Sequence, residues 1–277
     1  MSEIPASIMT RKGARTTALV PPEVRSLLDR GCIETKNLSE WLIVDHYSLA
    51  MTVFADRQWQ SLRNELCVRR EQQPGRTAFG KIQDIGRCLA ARAAVDEAES
   101  LRHILQEHPS DSVRCWGCIM IGQRCSAGLA EVLPMIRPYA MDRNSSVREI
   151  AWLALRERVI SDPEKAIDLL QPWAGDAEER IRRFASELTR PRGVWCRKID
   201  RFCEDPGLGL PLLTPLHSDV SKYVRDSVGN WLNDASKTRP EFVRQICREW
   251  QQKSETPETR YIVRRATRTL KRREESC

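Results

Sequence analysis

The 277-residue sequence lacks the patterns that mark several common classes of protein. No apolar run approaches the ~18 residues that a membrane-spanning helix needs. No apolar stretch follows the basic residues near the N-terminus, so we expect no secretory signal, no membrane contact and a cytosolic location. A Gly-rich phosphate loop and a nucleophile elbow are both missing from the sequence. Strand-like alternation is nearly absent, which favours an all-helical fold.

The histidines and cysteines give little sign of metal or cofactor chemistry. The four histidines lack the spacing of metal ligands or of a catalytic triad: His46, His103, His108 and His217. Among ten cysteines, the densest group is Cys115, Cys118 and Cys125. Its CxxC lies in an apolar helical pattern and has no second pair, as a structural zinc site would require. We therefore expect buried core thiols rather than a metal site or a disulfide, and no metal or cofactor.

One short phrase, an apolar residue followed by Arg, recurs five times at the start of a helix-like pattern. The copies are Val113-Arg114, Val147-Arg148, Ile181-Arg182, Val224-Arg225 and Val263-Arg264. The intervals between the arginines are 34, 34, 43 and 39 residues. This period predicts an all-α, right-handed solenoid of antiparallel helix pairs, that is, HEAT-like repeats, curved with a concave basic face that carries these arginines. Asp111 and Asn144 are candidate helix N-caps before two of the copies.

The pattern predicts one elongated domain over residues 21–273, preceded by a flexible basic N-terminal arm over residues 1–20. Hydrophobic residues make up 41% and charged residues 30% of the sequence, as in folded proteins. The lengthened intervals fall at residues 190–211, which are rich in Pro and Gly. An irregular insertion in a regular array is a candidate site, because loops on rigid scaffolds carry function.

The positive charge is concentrated near the C-terminus. The formal net charge is +7, and residues 239–273 contain eleven Lys or Arg and four Glu, which is also +7. A basic region on a solenoid suggests a polyanionic partner, with nucleic acid the first candidate. The alternative is an ordinary solvated helix face.

Three segments near the last repeats carry a family resemblance. They are Ser186-Glu187 to Trp195 (with Arg190-Pro191-Arg192), Tyr223-Val224-Arg225 to Lys237 (with Leu232-Asn233-Asp234), and Ile262-Val263-Arg264 to Leu270. With these segments the chain resembles the bacterial AlkC/AlkD superfamily of HEAT-like-repeat DNA alkylation repair glycosylases, and the AlkC branch more closely. A weaker match covers residues 33–38 and Ala50. HEAT arrays alone would indicate little about function, because most bind proteins.

The resemblance implies a monofunctional glycosylase that hydrolyses the N-glycosidic bond of an alkylated, cationic base in double-stranded DNA. The bases would be of the 3-methyladenine or 3-methylcytosine type, and the enzyme a monomer of the bacterial cytosol or nucleoid without metal or cofactor. A cationic base leaves as a neutral molecule, so no general acid is needed. The sugar becomes oxocarbenium-like, as in glycoside hydrolysis, and a carboxylate can stabilise it and hold the attacking water.

Site residues follow from the same resemblance. Asp234 is the first choice for the catalytic carboxylate, Glu187 the second carboxylate, and Trp195 an aromatic wall against the sugar or base. Glu149 is the match to a third acidic position on the previous repeat. The DNA-binding candidates are Arg148, Arg190, Arg192, Arg225, Asn233, Lys237, Arg264 and Arg268.

Each of these assignments has a structural alternative. Asp234 could cap the next helix, Glu187 could pair with a repeat arginine such as Arg148 or Arg225, and Trp195 could pack in the loop. The sequence departs from the family pattern at residues 188–189 and 193–194 (Leu-Thr and Gly-Val). The alternatives to an enzyme are a non-catalytic protein that binds damaged or branched DNA, and a protein-interaction scaffold.

Overall fold

A computed structural model describes residues 4–93, 98–124 and 127–274 of the chain. The α-helices are α1 (Ala6–Met9), α2 (Pro22–Asp29), α3 (Leu38–Ile43), α4 (His46–Val53), α5 (Gln60–Gln72), α6 (Ala78–Ala93), α7 (Ala98–Glu107), α8 (Asp111–Gly122), α9 (Leu129–Ala140), α10 (Ser145–Ser161), α11 (Pro163–Ala174), α12 (Glu179–Leu188), α13 (Asp200–Glu204), α14 (Leu210–Leu213), α15 (Lys222–Ala235), α16 (Pro240–Lys253), α17 (Pro257–Ala266) and α18 (Arg268–Glu274). Short 3₁₀ turns lie at Thr17–Leu19, Arg57–Trp59, Pro206–Gly209 and Thr214–Leu216. Strands are absent from the described residues, so the predicted all-α fold is confirmed.

None of the described helices is long and apolar enough to cross a membrane. The chain divides into two compact units, Met1–Ser126 with Asp142–Ala154 and Ala127–Met141 with Leu155–Cys277. The single domain over residues 21–273 and the flexible arm over residues 1–20 stay predictions, as do the right-handed curvature and the concave basic face. Within the first unit, the Arg11 guanidinium donates to the buried carboxylate of Glu40 at 2.6 and 2.8 Å.

Five helices begin with the same turn: α8, α10, α12, α15 and α17. The fourth residue of each helix is an arginine whose Nη1 donates to main-chain carbonyls five or six residues earlier. The pairs are Arg114 with His108 and Pro109, Arg148 with Asp142 and Arg143, Arg182 with Asp176 and Ala177, Arg225 with Asp219 and Val220, and Arg260 with Glu255. In the first four turns the distances are 2.7–3.1 Å. The repeated arginine thus satisfies the carbonyls of the connection that precedes its own helix.

The fifth copy of the repeat was predicted at the wrong residue. Val263-Arg264 has the expected residue types. However, Arg264 lies one helical turn further along α17 than the other four arginines lie along their own helices. The structural equivalent is Arg260, the fourth residue of α17, which bonds to the Glu255 carbonyl. The carbonyls lie before the helix start, so the distance of an arginine from that start decides whether it can bond to them.

The residue six positions before each of the first four arginines also has a fixed role. Asp142, Asp176 and Asp219 each accept the main-chain N–H two residues later, at 2.7, 2.9 and 2.8 Å. In the first turn His108 Nδ1 accepts from Ser110 N at 3.0 Å. Such side chains close a turn by replacing a main-chain acceptor.

The predicted caps are half right. Asn144 accepts from the Ser146 N–H at 2.9 Å, as expected of a cap. The cap residue of α8 is Ser110, and Asp111 is instead the first helical residue. The buried Asp111 carboxylate accepts from the N–H and the hydroxyl of Thr35, at 2.9 and 2.6 Å. Burial raises the pKa of Asp111 to about 6, despite these hydrogen bonds.

Neighbouring turns are joined by ion pairs within each unit. In the second unit the Arg182 guanidinium binds both oxygens of Asp219, at 2.6 and 3.0 Å. In the first unit Arg114 binds Asp142 in the same way, at 2.7 and 3.0 Å. The arginine of one repeat therefore holds the acidic residue of the next.

The core contains the apolar positions that follow each arginine at helical spacing. Val228 and Leu232 on α15 and Ala185 and Leu188 on α12 are all fully buried. Cys115 and Cys118 on α8 are also fully buried, which confirms core thiols at these two positions. Burial raises the pKa of both thiols well above its usual value. Cys125 lies outside the described residues.

Candidate functional site

The two leading carboxylate candidates occupy equivalent places on neighbouring helices. Glu187 is the penultimate residue of α12, and Asp234 is the penultimate residue of α15. The C-terminal end of a helix carries partial negative charge, so a carboxylate there is disfavoured by about 0.3–1 kcal/mol. Both carboxylates are also buried. Each therefore needs a nearby cation.

Arg190 is that cation for both carboxylates. Its Nε and Nη2 donate to Asp234 Oδ2 at 3.0 and 2.7 Å, and its Nη1 donates to Glu187 Oε1 at 2.6 Å. The Arg190 side chain is 11% exposed, and those of Glu187 and Asp234 are 5% and 3% exposed. One guanidinium thus holds together two carboxylates that are 47 positions apart in the sequence. We call Glu187, Arg190 and Asp234 the carboxylate–arginine cluster.

The other carboxylate oxygens face different surroundings. Glu187 Oε2 accepts from the buried Ser227 hydroxyl at 2.7 Å and lies 3.7 Å from the Arg183 guanidinium. Asp234 Oδ1 accepts from Lys237 Nζ at 2.8 Å, and the Lys237 side chain is 35% exposed. Both carboxylates are buried, but Glu187 Oε2 is bonded to a buried hydroxyl, whereas Asp234 Oδ1 is bonded to a side chain that reaches solvent.

The charges in the cluster stabilise one another. Burial by itself raises the pKa of Glu187, but the charges of Arg183 and Arg190 and the hydrogen bonds from Ser227 and Arg190 outweigh it. The pKa of Glu187 therefore lies below its usual value. Burial by itself lowers the pKa of Arg190, and the two carboxylates more than reverse that effect. Glu187 and Arg190 are consequently both charged at neutral pH.

The structural alternatives for these carboxylates differ from what is observed. Asp234 lies inside α15 and does not cap α16, whose cap residue is Arg239. Glu187 is paired with arginines, but these are Arg190 and Arg183 rather than a turn arginine.

Trp195 stands on the irregular segment that follows α12. The residue is 61% exposed, and its φ of 65° is left-handed, the one positive φ of a non-glycine residue among the described positions. A bulky residue in this conformation costs on the order of 1–3 kcal/mol, and such strain is most often found at functional sites. The indole is thus displayed to solvent rather than packed in the loop.

Arg156 fixes the ends of this segment, a role that the sequence does not reveal. Arg156 is 1% exposed. It donates to the carbonyls of Leu188 (2.8 Å), Pro191 (3.5 Å) and Arg197 (3.1 and 3.2 Å). Both ends of the Trp195 segment are therefore bonded to one buried side chain. In the sequence Arg156-Glu157-Arg158 looks like an exposed charged helix face, so no signal separates Arg156 from its neighbours.

The arginines proposed to bind phosphate lie in varied surroundings. Arg190 belongs to the carboxylate–arginine cluster, and its Nη2 also donates to the Arg192 carbonyl at 3.3 Å. Arg225 bonds to the carbonyls of its own turn. In the first unit Arg148 does the same. Arg264 is exposed, with its guanidinium 5.4 Å from the Tyr261 ring centre. Their contacts with DNA stay predictions.

Two further DNA-binding candidates lie at the junction of α15, α17 and α18. Asn233 is 2% exposed, and its Oδ1 accepts from the N–H and hydroxyl of Thr269 at 3.2 and 2.9 Å. Arg268 donates to Asn230 Oδ1 at 2.9 Å. In this arrangement Asn233 holds the start of α18 in place, and its contact with DNA stays a prediction.

Glu149 belongs to the first unit. Its Oε2 accepts from Trp152 Nε1 at 2.8 Å on the same helix, α10. Its catalytic role stays a prediction. Within the described part of the chain, His, Cys, Asp and Glu side chains form no group of three or more that could hold a metal ion.

The sequence and the fold are similar to those of known proteins. Residues 98–189 match a family model of HEAT repeats. The structure is similar to Pseudomonas fluorescens alkylpurine DNA glycosylase AlkC bound to DNA containing an abasic site analog, with a TM-score of 0.65, 23% identity, and coverage of 81% of this chain and 61% of that one. It is also similar to AlkD2 from Streptococcus mutans, with a TM-score of 0.56, 23% identity, and coverage of 74% and 97%.

The fold is that of AlkC and AlkD-type proteins. The resemblance predicted from the three segments is thereby confirmed at the level of the fold. A curated relative, the uncharacterized protein YhaZ of Bacillus subtilis (strain 168), is 42% identical over 117 residues, which are 42% of this chain. The match spans about a third (32%) of YhaZ, and the chain spans 61% of the AlkC chain.

Proposed function

We propose that this protein is a DNA repair glycosylase that hydrolyses the N-glycosidic bond of alkylated, cationic bases in double-stranded DNA. The observation that carries the proposal is the carboxylate–arginine cluster, with Asp234 beside the exposed Trp195 segment. The fold shared with AlkC, whose structure contains DNA with an abasic site analog, supports it. The lesions proposed are of the 3-methyladenine or 3-methylcytosine type.

The chemistry needs one available carboxylate. The C1′–N bond breaks, and its electron pair passes to the base, which leaves as a neutral molecule. Positive charge develops on the sugar, where Asp234 stabilises it. The oxygen of a water molecule bonds to C1′, and the proton that it loses passes to Asp234. Asp234 Oδ1 suits this role once Lys237 turns toward a DNA phosphate.

The other residues orient and bind. Glu187 and Arg190 hold the second Asp234 oxygen in place, and Trp195 offers a ring face to the cationic base, an attraction worth about 0.5–2 kcal/mol. Phosphate contacts are assigned to Arg192, Lys237, Arg264 and Arg268, with Arg148 and Arg225 as further candidates. Asn233 supports α18, and Glu149 remains a third candidate carboxylate. The proposed enzyme acts as a monomer in the bacterial cytosol or nucleoid, without a cofactor.

The test is release of free methylated base from DNA treated with a methylating agent. Asp234→Asn should lower the release rate at least about 10²-fold, because a preorganised charge at the reacting centre is lost, and should still bind DNA. Asp226→Asn is the matched control, since Asp226 lies two turns earlier on α15, bonded to Lys222 and Tyr261. We expect the control to keep its rate. Equal rates for wild type and Asp234→Asn would remove Asp234 from the mechanism.

A non-catalytic DNA-binding protein is the second candidate. The observation in its favour is that both oxygens of Asp234 are already paired, with Arg190 and Lys237. It predicts that neither wild type nor Asp234→Asn releases base, while both bind methylated or branched DNA in a salt-dependent way.

A further inference from the structure

A second charged region lies on the last three helices. A cleft of about 480 Å³ is lined by α16, α17 and α18. This volume is in the range of ligand-binding sites in proteins. None of the residues of the carboxylate–arginine cluster lines it. The cleft therefore lies outside the carboxylate–arginine cluster, and of the residues proposed above to contact phosphate it includes Arg264.

The cleft is lined by positive charge. The cations are Arg244, Arg248, Arg260, Arg264 and Lys271, and no acidic residue is among the side chains that line it. Cys247 and Leu270, both 3% exposed, provide an apolar floor. Arg248, Arg264 and Lys271 are exposed to solvent. Such a surface attracts an anion and repels cations.

The spacing of these arginines is unfavourable without an anion. Arg244 and Arg248 are four residues apart on α16, and Arg260 and Arg264 are four residues apart on α17. Like charges at this spacing lie on one helix face and repel each other. The Arg260 Nη1 is used by the Glu255 carbonyl, and Arg244 contacts Glu241 outside the cleft. A bound anion would relieve the remaining repulsion.

Helix α17 separates the cleft from the proposed lesion site. Arg265 and Arg268 reach from this part of the chain to Asn230 on α15, the helix that carries Asp234. Arg260 and Arg264 line the cleft instead. The two faces are about one helix diameter apart, roughly 10 Å, which equals about three base-pair steps along a DNA strand.

We propose that the cleft of α16, α17 and α18 binds the phosphodiester backbone of nucleic acid on one side of the damaged nucleotide. Arginine matches phosphate oxygens with paired N–H donors, and four of the five cations are arginines. An open groove lined by three helices suits a continuous strand. The placement of the lesion rests on the proposed glycosylase function, whereas binding of nucleic acid in the cleft does not.

The test compares two doubly substituted proteins on an unmodified 20-base-pair duplex. Arg248→Gln with Lys271→Gln removes two exposed cations from the cleft. Arg25→Gln with Lys165→Gln removes two exposed cations elsewhere and is the matched control. The cleft variant should bind about tenfold more weakly at low salt. Its plot of log affinity against log salt should have a slope smaller by about 0.9 for each phosphate that the variant no longer neutralises. The control should match wild type.

The outcomes separate this proposal from the glycosylase proposal. A wild-type slope in the cleft variant, or an equal loss of affinity in the control, would overturn the cleft site whatever the excision rates are. A reduced slope would support it even if wild type releases no base. Vesicles of anionic phospholipid form a second arm. Loss of vesicle binding in the cleft variant, with DNA binding unchanged, would assign the cleft to lipid headgroups and overturn the proposal.

Discussion

The N-terminal and C-terminal ends of α12 and α15 both carry charge that the helix dipole disfavours, and the two ends compensate this charge in different ways. At the N-terminal end, Arg182 and Arg225 carry positive charge where the helix dipole disfavours it, and at the C-terminal end Glu187 and Asp234 carry disfavoured negative charge. The turn arginines bond to main-chain carbonyls, and Arg182 bonds to the Asp219 carboxylate as well. The carboxylates are compensated by side chains only, above all Arg190.

Under the proposed function, this difference places the residues that stabilise the turn and the residues that react at opposite ends of the same helix. Carbonyl partners are fixed by the backbone, so part of the compensation at the N-terminal ends does not depend on the rotamer of a partner side chain. Side-chain partners can rotate, and the partner of Asp234 Oδ1 is the half-exposed Lys237. In the proposed mechanism, the charge that meets the substrate lies at the C-terminal end of α15, where the Lys237 side chain can move away without unfolding the turn.

The largest decrease in stability is expected from removing Arg190, the cation that the two C-terminal carboxylates share. Arg190→Gln leaves two buried carboxylates without their main partner, so the free energy of unfolding should fall by about 3–5 kcal/mol. Urea unfolding measures the change. The triple variant with Glu187→Gln and Asp234→Asn should recover part of the stability, because no unpaired charge is then buried. A decrease below about 1 kcal/mol for Arg190→Gln would contradict the structural importance of the pairing.

A smaller decrease in stability is expected from removing a turn arginine at the N-terminal end of α12. Arg182→Gln leaves Asp219 and the carbonyls of residues 176 and 177 short of a donor, so stability should fall by about 1–3 kcal/mol. The rate of base release by the folded protein should stay that of wild type. Arg180→Gln, on the same helix but 38% exposed, is the control and should change stability little. If Arg182→Gln lowered the excision rate while remaining folded, the two ends would not be independent.

The smallest effect is expected at the strained residue beyond α12. Trp195→Gly should raise stability by about 1 kcal/mol, because glycine tolerates the left-handed conformation and the exposed indole contributes little packing. Trp195→Ala keeps the strained backbone and should not gain this stability. Both variants should release base about 2- to 30-fold more slowly if the ring contacts the cationic base. Thermal unfolding distinguishes the two variants, and equal melting temperatures would argue against stored strain.

The sequence predicted the repeat helices well because local rules place them. An apolar residue and an arginine near a helix start identified four of the five turns. The fifth was misplaced because Val263-Arg264 has the residue types of the repeat, whereas Arg260 has the distance from the start of its helix that the other four arginines share. Residue identity alone did not include that distance.

The carboxylate–arginine cluster was only partly predictable. The family resemblance identified Glu187, Arg190 and Asp234 separately, and Arg190 was predicted to contact phosphate. Its pairing with Glu187 is local, three positions apart, but its pairing with Asp234 joins residues 44 positions apart, and no local pattern encodes such a contact. Arg156 was missed for the same reason, since its partners are carbonyls of a segment more than 30 residues away.

The turn that opens each repeat helix has a consequence for recognising distant relatives. Six positions before the arginine stand His108, Asp142, Asp176, Asp219 and Ser254. The imidazole and the three carboxylates each accept the N–H two residues later, and the Ser254 hydroxyl bonds to the Thr256 side chain. What these five positions share is a side chain that carries a lone pair, rather than one amino-acid type. A profile weighted toward aspartate would overlook the outermost repeats, whereas one that scores any short acceptor at this spacing would count all five.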